Sequence, residues 1–473
     1  MQATTLKINN NIRLYLIPLA LLSLFFLLSF SDRVLANDTL KITFFTISGA
    51  LLFLYIGMLI IIRIRKSATE IILVILKPHY VQMLMHLCIF IYWGWYWPQV
   101  YEQTVLILAQ LIFVHIVDLL FRWSRGEPWI LGFGRFPIIF STNLFLWFRD
   151  DWFYFQFLMI AFGIIAKDYF TWVKDGRRTH IFNPSAISLS VASLLLIITD
   201  STHIGWGPEI SNTLSIPPHM YIEIFILGLI VQYLFQVTLV TLATVMSLLL
   251  FGTIYYQITG VYFFYTSDIP IAVFLGLHLL VTDPSTSPRT IVGKFIFGFL
   301  YGVSVMALFE ILEFYGHPTF YDKLLCIPLI NLCVIYLDKL GAHFSGVLAS
   351  LKMSAYRLNL IFMSVWVLIF IAWYSSGYVG RSHPGRQSQF WTQACSQELR
   401  KACITQHDLI LAECEKGNAY ACAKLGDIYK SGAGVTKDEL KAYKYVSRAC
   451  QMGLEKACEL QHEYVPGNAI INK

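Results

Sequence analysis

From Leu14 to Tyr374 the chain is a succession of apolar runs, many of spanning length, separated by short polar or basic loops. A run of about 18 or more residues with few charges reads as a transmembrane helix. The pattern therefore predicts an all-α polytopic protein with about thirteen spans. Two of these, 136–148 and 270–282, are short enough to be half-helices. Residues 1–70 form a two-span hairpin, 71–340 a membrane core, and 341–376 a loop with the final span. Beyond Ser375 the pattern changes. Residues 377–389 are polar and rich in Gly, Ser and Arg, as a linker would be, and 390–473 read as a small helical polar domain.

Inside the core two breakers interrupt the apolar pattern one hundred residues apart, Asn183-Pro184-Ser185 and Asp283-Pro284-Ser285. Proline removes a backbone donor and disfavours helix in the residue before it, whereas Asn, Asp and Ser cap new helix starts. Paired interruptions in two halves of a membrane protein point to its binding site. The expectation is that both breakers start membrane-embedded helices and face each other across a pseudo-two-fold axis. Free N–H groups at those starts, with Arg178, Arg289 and Lys294 nearby, would suit a phosphate, a quinone carbonyl or an anionic solute. An ordinary loop, with its basic residues obeying the positive-inside rule, is the plain alternative.

Composition supports the membrane assignment. Hydrophobic residues are 57% of the chain and charged ones 14%, against roughly 25% charged in soluble proteins. Trp and Tyr gather at run ends, as in Tyr92-Trp93-Gly94-Trp95-Tyr96-Trp97, where an interfacial belt would place them. The net charge of +6 resides mostly in short loops and implies no nucleic-acid partner. With thirteen spans, the clusters Arg63/Arg65/Lys66, Arg122/Arg125/Arg135, Lys167/Lys174/Arg177/Arg178, Arg289/Lys294 and Lys339/Lys352/Arg357 share one side. The N-terminus is then cytoplasmic and the C-terminus outside a bacterial inner membrane. The run ending near Phe30, followed by Val34-Leu35-Ala36, resembles a signal peptide and is expected to persist as an anchor.

Six of the nine cysteines lie in the tail as three Cys-x7-Cys pairs: Cys395/Cys403, Cys414/Cys422 and Cys450/Cys458. An even, regular set in a small domain reads as a disulfide framework in an oxidising compartment, and the spacing does not suit a zinc ribbon. An unbroken helix holds residues i and i+8 about 12 Å apart, too far for a bond. Gly417 and Gly453 break the helix inside two pairs, but no Gly or Pro separates Cys395 from Cys403, the weakest of the three. The unit Cys414-x2-Gly417-x3-Ala421-Cys422 recurs thirty-six residues later as Cys450-x2-Gly453-x3-Ala457-Cys458. It resembles the cysteine-rich Sel-like repeat, a relative of the tetratricopeptide repeat. That resemblance implies a two-helix solenoid and a protein-binding role.

The core carries a second resemblance. Thr179-His180-Ile181-Phe182-Asn183-Pro184-Ser185-Ala186 and Thr282-Asp283-Pro284-Ser285-Thr286-Ser287-Pro288-Arg289 are similar to the two Asn-Pro and Asp-Pro motifs of the RnfD/NqrB family. Gly293-Lys294-x3-Gly298-x2-Tyr301-Gly302 follows, as in that family. These are membrane subunits of ion-coupled electron-transfer complexes, and the flavour is that of a divergent branch with an enediyne-biosynthesis label. The resemblance implies an inverted-repeat helical core, flavin binding and redox-complex partners. It makes Arg178, His180, Asn183, Pro184, Ser185, Asp283, Pro284, Ser285, Thr286, Ser287, Arg289 and Lys294 the candidate cofactor-binding set. The family's covalent-FMN motif, Ser/Thr-Gly-Ala-Thr, is not found. Ser67-Ala68-Thr69 is incomplete, and Thr241-Leu242-Ala243-Thr244 falls mid-span, where helix packing is expected. Covalent FMN is therefore not expected, and non-covalent FMN, riboflavin, a quinone or no cofactor all stay open.

His86, His115, Asp118, Glu223, Asp268, His278 and Glu310 are ionisable residues within apolar runs and so default functional candidates. His115 and Asp118, three apart on one helix face, are expected to pair. No metal-ligand spacing and no nucleophile motif appears. Membrane electron transfer leads, followed by a small-solute channel or transporter, and then by an anchor displaying the repeat domain.

Overall fold

The computed structural model describes residues 4–8, 11–65, 70–174, 176–344, 353–397 and 399–464. It divides into two compact units. The first comprises the residues up to Leu248 together with Ile271–Phe370, and the second Leu249–Pro270 with the residues from Ile371 onward.

The first unit is almost wholly helical. Helices of six residues or more are numbered in chain order. They begin with α1 (Asn11–Leu28) and α2 (Asp38–Arg65), then α3 (Lys77–Tyr96), α4 (Thr104–Ser124), α5 (Phe136–Asn143), α6 (Tyr154–Tyr169) and α7 (Pro184–Ile198). After α8 (Gly207–Leu214) come α9 (Met220–Phe235), α10 (Thr238–Thr259), α11 (Ile271–Leu279), α12 (Ile291–Phe314) and α13 (Asp322–Asn331). The sets α3–α7 and α9–α13 share one plan. In each, the third helix is only eight or nine residues long. In each, the first helix packs on the third, the third on the fifth and the fourth on the fifth. The sets meet like on like, α3 against α9 and α7 against α13.

The close packing rests on small residues. A Cβ at Gly163 of α6 would stand 2.8 Å from the Pro184 carbonyl oxygen, and one at Gly298 of α12 only 2.1 Å from that of Val240. Thr244 Oγ1 donates to the Gly298 carbonyl at 2.8 Å, and Thr241 Oγ1 to that of Leu277 at 2.9 Å. The Thr241–Thr244 segment is thus committed to helix packing.

Among the described residues, five helices are long and apolar enough to cross a membrane, or six if the bent pair Thr319–Asn331 and Val334–His343 is one span. This differs from thirteen. Several expected spans are shortened at breaks, α5 and α11 most of all, and hydropathy cannot tell a half-helix from a full one. The helix Val334–His343 is α14, and α15 spans Ala355–Ser375.

The all-α expectation also missed two small sheets. β1 (Thr4–Ile8) pairs antiparallel with β2 (Ile71–Ile75), which pairs parallel with β3 (Trp129–Leu131). β4 (Thr171–Lys174) and β5 (Arg177–His180) form a hairpin turning at Gly176, where φ is +72°. Ile71-Ile72-Leu73-Val74-Ile75 is a short apolar, β-branched run that periodicity alone cannot separate from helix.

The second unit holds α16 (Ser388–Cys395), α17 (Arg400–Glu415), α18 (Ala419–Ser431), α19 (Glu439–Gln451) and α20 (Glu455–Leu460), successive helices packing on one another. Asn418 and Asp438 cap α18 and α19 through their side chains. Leu425, Val446, Ala449 and Cys422 lie in the core. All three cysteine pairs are disulfides, with Cα–Cα separations of 4.6, 4.7 and 4.7 Å. The Cys395–Cys403 pair needs no turn residue: α16 ends at Cys395 and α17 starts at Arg400, with Leu399 packed against Trp391, Ala394 and Ala402. Residues 377–389, read as a linker, carry two 3-10 turns. They are tied to the loop after α10: Arg386 Nε donates to the Thr266 carbonyl at 3.0 Å, and His383 Nε2 lies 3.3 Å from Asp268 Oδ1. Trp373 Nε1 donates to the same carboxylate at 3.1 Å. Asp268 is thereby accounted for as a structural acceptor.

Candidate functional site

The two breakers meet. His180 Nε2 lies 3.3 Å from Asp283 Oδ2, and Asn183 Nδ2 donates to the Leu280 carbonyl at 2.9 Å. Their local structures differ. Asn183 caps α7, its Oδ1 accepting from the Ser185 and Ala186 amides at 2.9 and 3.2 Å, with Pro184 in the first turn where its missing donor costs nothing. Asp283 starts no helix, contrary to expectation. Its Oδ1 accepts from the Ser285 amide at 2.9 Å, and its carbonyl from Ser287 Oγ at 2.7 Å, making a compact Asx turn. The next helix waits until Ile291, capped by Thr290.

The helix starts are therefore already satisfied. Asn183 occupies the first amides of α7, while Asp338 Oδ1 accepts from the Arg289 and Thr290 amides at 2.6 and 3.0 Å. At α7 the expected free N–H groups are taken by the side-chain oxygen of Asn183, and the two amides just before α12 by the Asp338 carboxylate. Thr286 and Ser287 are buried, and their carbonyls accept from Asn331 Nδ2 at 3.1 Å and from Lys174 Nζ at 3.1 Å. Lys174 also pairs with Asp338 at 2.8 Å. Lys294 is spent elsewhere: its ammonium donates to the Gln236 carbonyl at 2.8 Å, at the end of α9.

What the breakers enclose is a cavity of about 130 Å³. His180, Asn183, Pro184, Ser185, Asp283, Pro284 and Ser285 contribute to its wall. So do His79, Gln82, Ser141 and Lys167, none of which the sequence singled out for a ligand. Ser141 Oγ and Ser185 Oγ lie 2.8 Å apart. The Lys167 ammonium makes no hydrogen bond or ion pair among the described residues, and neither does the His79 ring. Burial pushes the Asp283 carboxyl up, but the adjacent His180, the Ser285 amide and Lys167 outweigh it and hold it below the ordinary carboxylate value.

Lys167, His180 and Ser285 also line a second cavity, of about 450 Å³, with Arg122, Arg125, Glu127, Asp168, Thr171, Arg178 and Thr179. Arg178 Nε donates to Thr171 Oγ1 at 2.8 Å across the β4–β5 hairpin, and Arg125 pairs with Glu127 and Asp168 at 2.8 Å each. Behind this wall Asp118 binds Arg135 and Arg122. It does not pair with His115, whose Nδ1 faces the Leu111 carbonyl at 2.7 Å.

The other ionisable candidates line neither cavity. His278 sits among Phe225, Phe274 and Trp366, accepting from Trp366 Nε1 at 3.3 Å, and His86 is buried against the Gln82 carbonyl. Ser67-Ala68-Thr69, Lys66 and Lys352 fall outside the described residues. Among the described residues no group of three His, Cys, Asp or Glu side chains is placed to hold a metal ion. Comparison of the chain with protein-family models, with curated proteins and with solved structures finds no match.

Proposed function

We propose that the protein is a polytopic membrane protein that admits a small polar solute or ion to a site between its broken helices, as a channel or transporter does. The observation that carries this is the cavity of about 130 Å³ lined by His79, Lys167, His180, Asn183 and Asp283 at the meeting of the two breakers. Pockets for drug-sized ligands run from roughly 300 to 1,000 Å³, so a cavity of this size favours a small solute over an isoalloxazine. Polar side chains at helix breaks are the usual construction of a midplane solute site. The like-on-like meeting of the two five-helix sets supports an inverted repeat. The disulfides support an extracytoplasmic, solenoid-type repeat domain that binds a protein partner, with the basic loops of the core cytoplasmic. The lipid bilayer of a bacterial inner membrane is the setting this implies.

Electron transfer of RnfD/NqrB type, with redox-complex subunits as partners, is the second reading. One observation favours it besides the motifs: the indoles of Trp93, Trp97 and Trp147 touch one another, Trp97 stacked on Trp147, and Trp206 lies tilted against Trp97, with ring centroids 5.2 to 6.1 Å apart. A non-covalent FMN, riboflavin or quinone would then use the larger cavity. Two measurements on one preparation separate the readings. The absorption spectrum of purified protein reports a flavin or quinone. Light scattering of proteoliposomes challenged with gradients of formate, acetate, ammonium or glycerol reports solute entry. Solute-dependent relaxation without a cofactor spectrum supports the first reading. A stoichiometric flavin or quinone with no relaxation replaces it with the second.

A further inference from the structure

We propose that the cavity of about 450 Å³ is an oxyanion site for a phosphate-type group, held by Lys167 and Arg178. This deepens the proposed function by naming what the entrance to the broken-helix centre selects. Four cationic side chains, Arg122, Arg125, Lys167 and Arg178, face two carboxylates, Glu127 and Asp168. The wall therefore carries two excess positive charges.

The pairing is uneven in a useful way. Glu127 and Asp168 are both engaged by Arg125 at 2.8 Å and by Arg122 at 3.6 and 3.7 Å. Those ion pairs fix one side of the wall and neutralise it. Lys167 has no ion-pair partner among the described residues. The guanidinium of Arg178 reaches only neutral acceptors, Thr171 Oγ1 at 2.8 Å and the Asp168 carbonyl at 3.4 Å. Lys167 is offset only at longer range, by Asp283, Asp118 and Asp168, and Arg178 donates to no carboxylate, so these two are the cations of the wall without a close counter-charge. Thr179 lines the same cavity, and its hydroxyl is buried and without a hydrogen-bond partner among the described residues. An ammonium, a planar fork of donors and a free hydroxyl are the groups that bind phosphate oxygens. Lys167 lines both cavities, so an anion bound in the outer one neutralises an ammonium facing the inner one.

A free phosphate or the headgroup of an anionic lipid would bring the same chemistry. The test uses the full-length protein at constant ionic strength, first in neutral detergent with inorganic phosphate titrated against chloride. It is then repeated in nanodiscs of zwitterionic lipid with and without phosphatidylglycerol. Saturable thermal stabilisation by phosphate is expected, weakened at least tenfold in apparent affinity by Lys167→Met with Arg178→Gln. It should be retained by Lys167→Arg, and be untouched by the control Lys437→Gln in the tail. Stabilisation only by phosphatidylglycerol, with the same dependence on Lys167 and Arg178, supports the site and assigns it to a lipid headgroup. No stabilisation by either, or stabilisation that survives the double substitution, overturns it. If Lys167→Met fails to fold, Arg178→Gln alone and Lys167→Arg decide the matter. Phosphate binding without solute flux keeps this site and removes the transport reading, and flux without binding does the reverse.

Discussion

The Asn-Pro-Ser and Asp-Pro-Ser breakers begin with the same chemistry and end as different structures. After Asn183 the chain continues Pro184-Ser185-Ala186-Ile187, with no further breaker, and a fifteen-residue helix follows. After Asp283 it continues Pro284-Ser285-Thr286-Ser287-Pro288, and the second proline forbids helix through the segment before it. Asn183 therefore spends both ends of its side chain, capping α7 with its oxygen and holding the other breaker with its nitrogen. Asp283 closes only its own turn and keeps an oxygen for His180. A breaker motif marks where helix ends; what comes four residues later decides whether another begins.

The largest expected effect lies on the first breaker. Asn183→Ala removes a helix cap, about 0.5–2 kcal/mol, and strands the buried Leu280 carbonyl, roughly 1–3 kcal/mol. A loss of about 2–4 kcal/mol is expected in unfolding of the purified protein. Asp283→Ala should cost about half as much, and equal losses would erase the distinction. Gly163→Ala comes next. Its Cβ would press on the Pro184 carbonyl from 2.8 Å, and overpacking of this kind costs about 1–3 kcal/mol.

The second breaker should show itself in acid. The folded carboxyl of Asp283 is held below its ordinary value. Its contribution is complete above the unfolded carboxylate range and disappears as pH falls through the lowered folded value. The stability difference between wild type and Asp283→Asn should stay constant from neutral to mildly acidic pH, then shrink at the acid end. A difference that grows in acid would contradict the assignment. The smallest effect is expected of Pro288→Ala, under about 1 kcal/mol. Hydrogen exchange should show new protection of the Ser287 amide as helix becomes allowed; unchanged protection would mean that Pro288 is not what separates the two breakers.

What the sequence could show was local. The breakers and the Cys-x7-Cys pairs are each written within nine residues, and the structure bonds all three cysteine pairs. Lys167 and His79 were out of reach because their significance lies in what they fail to touch. Only the packing of α6, α3 and the β4–β5 hairpin around one cavity reveals that. Two contacts share this cause, Lys294 with Gln236 and Asp118 with Arg135, each spanning a sequence distance that no helical periodicity encodes; the other partner of Asp118, Arg122, stands four residues on and was legible. The short helices α5 and α11 were suspected from their length, whereas β2 was lost inside an apolar run.

The central claim is that the two breakers line a small polar cavity that a solute can enter. Thiol accessibility along α7 tests it directly. Both Ser185 and Ser193, two turns further along the same helix, are buried, but Ser185 lines the cavity and Ser193 lines neither. In sealed vesicles of a background lacking Cys88, Cys326 and Cys333, a small charged methanethiosulfonate should modify Ser185→Cys from one side only and leave Ser193→Cys unreacted. Equal reaction at both positions, or none at Ser185→Cys from either side, would contradict the account.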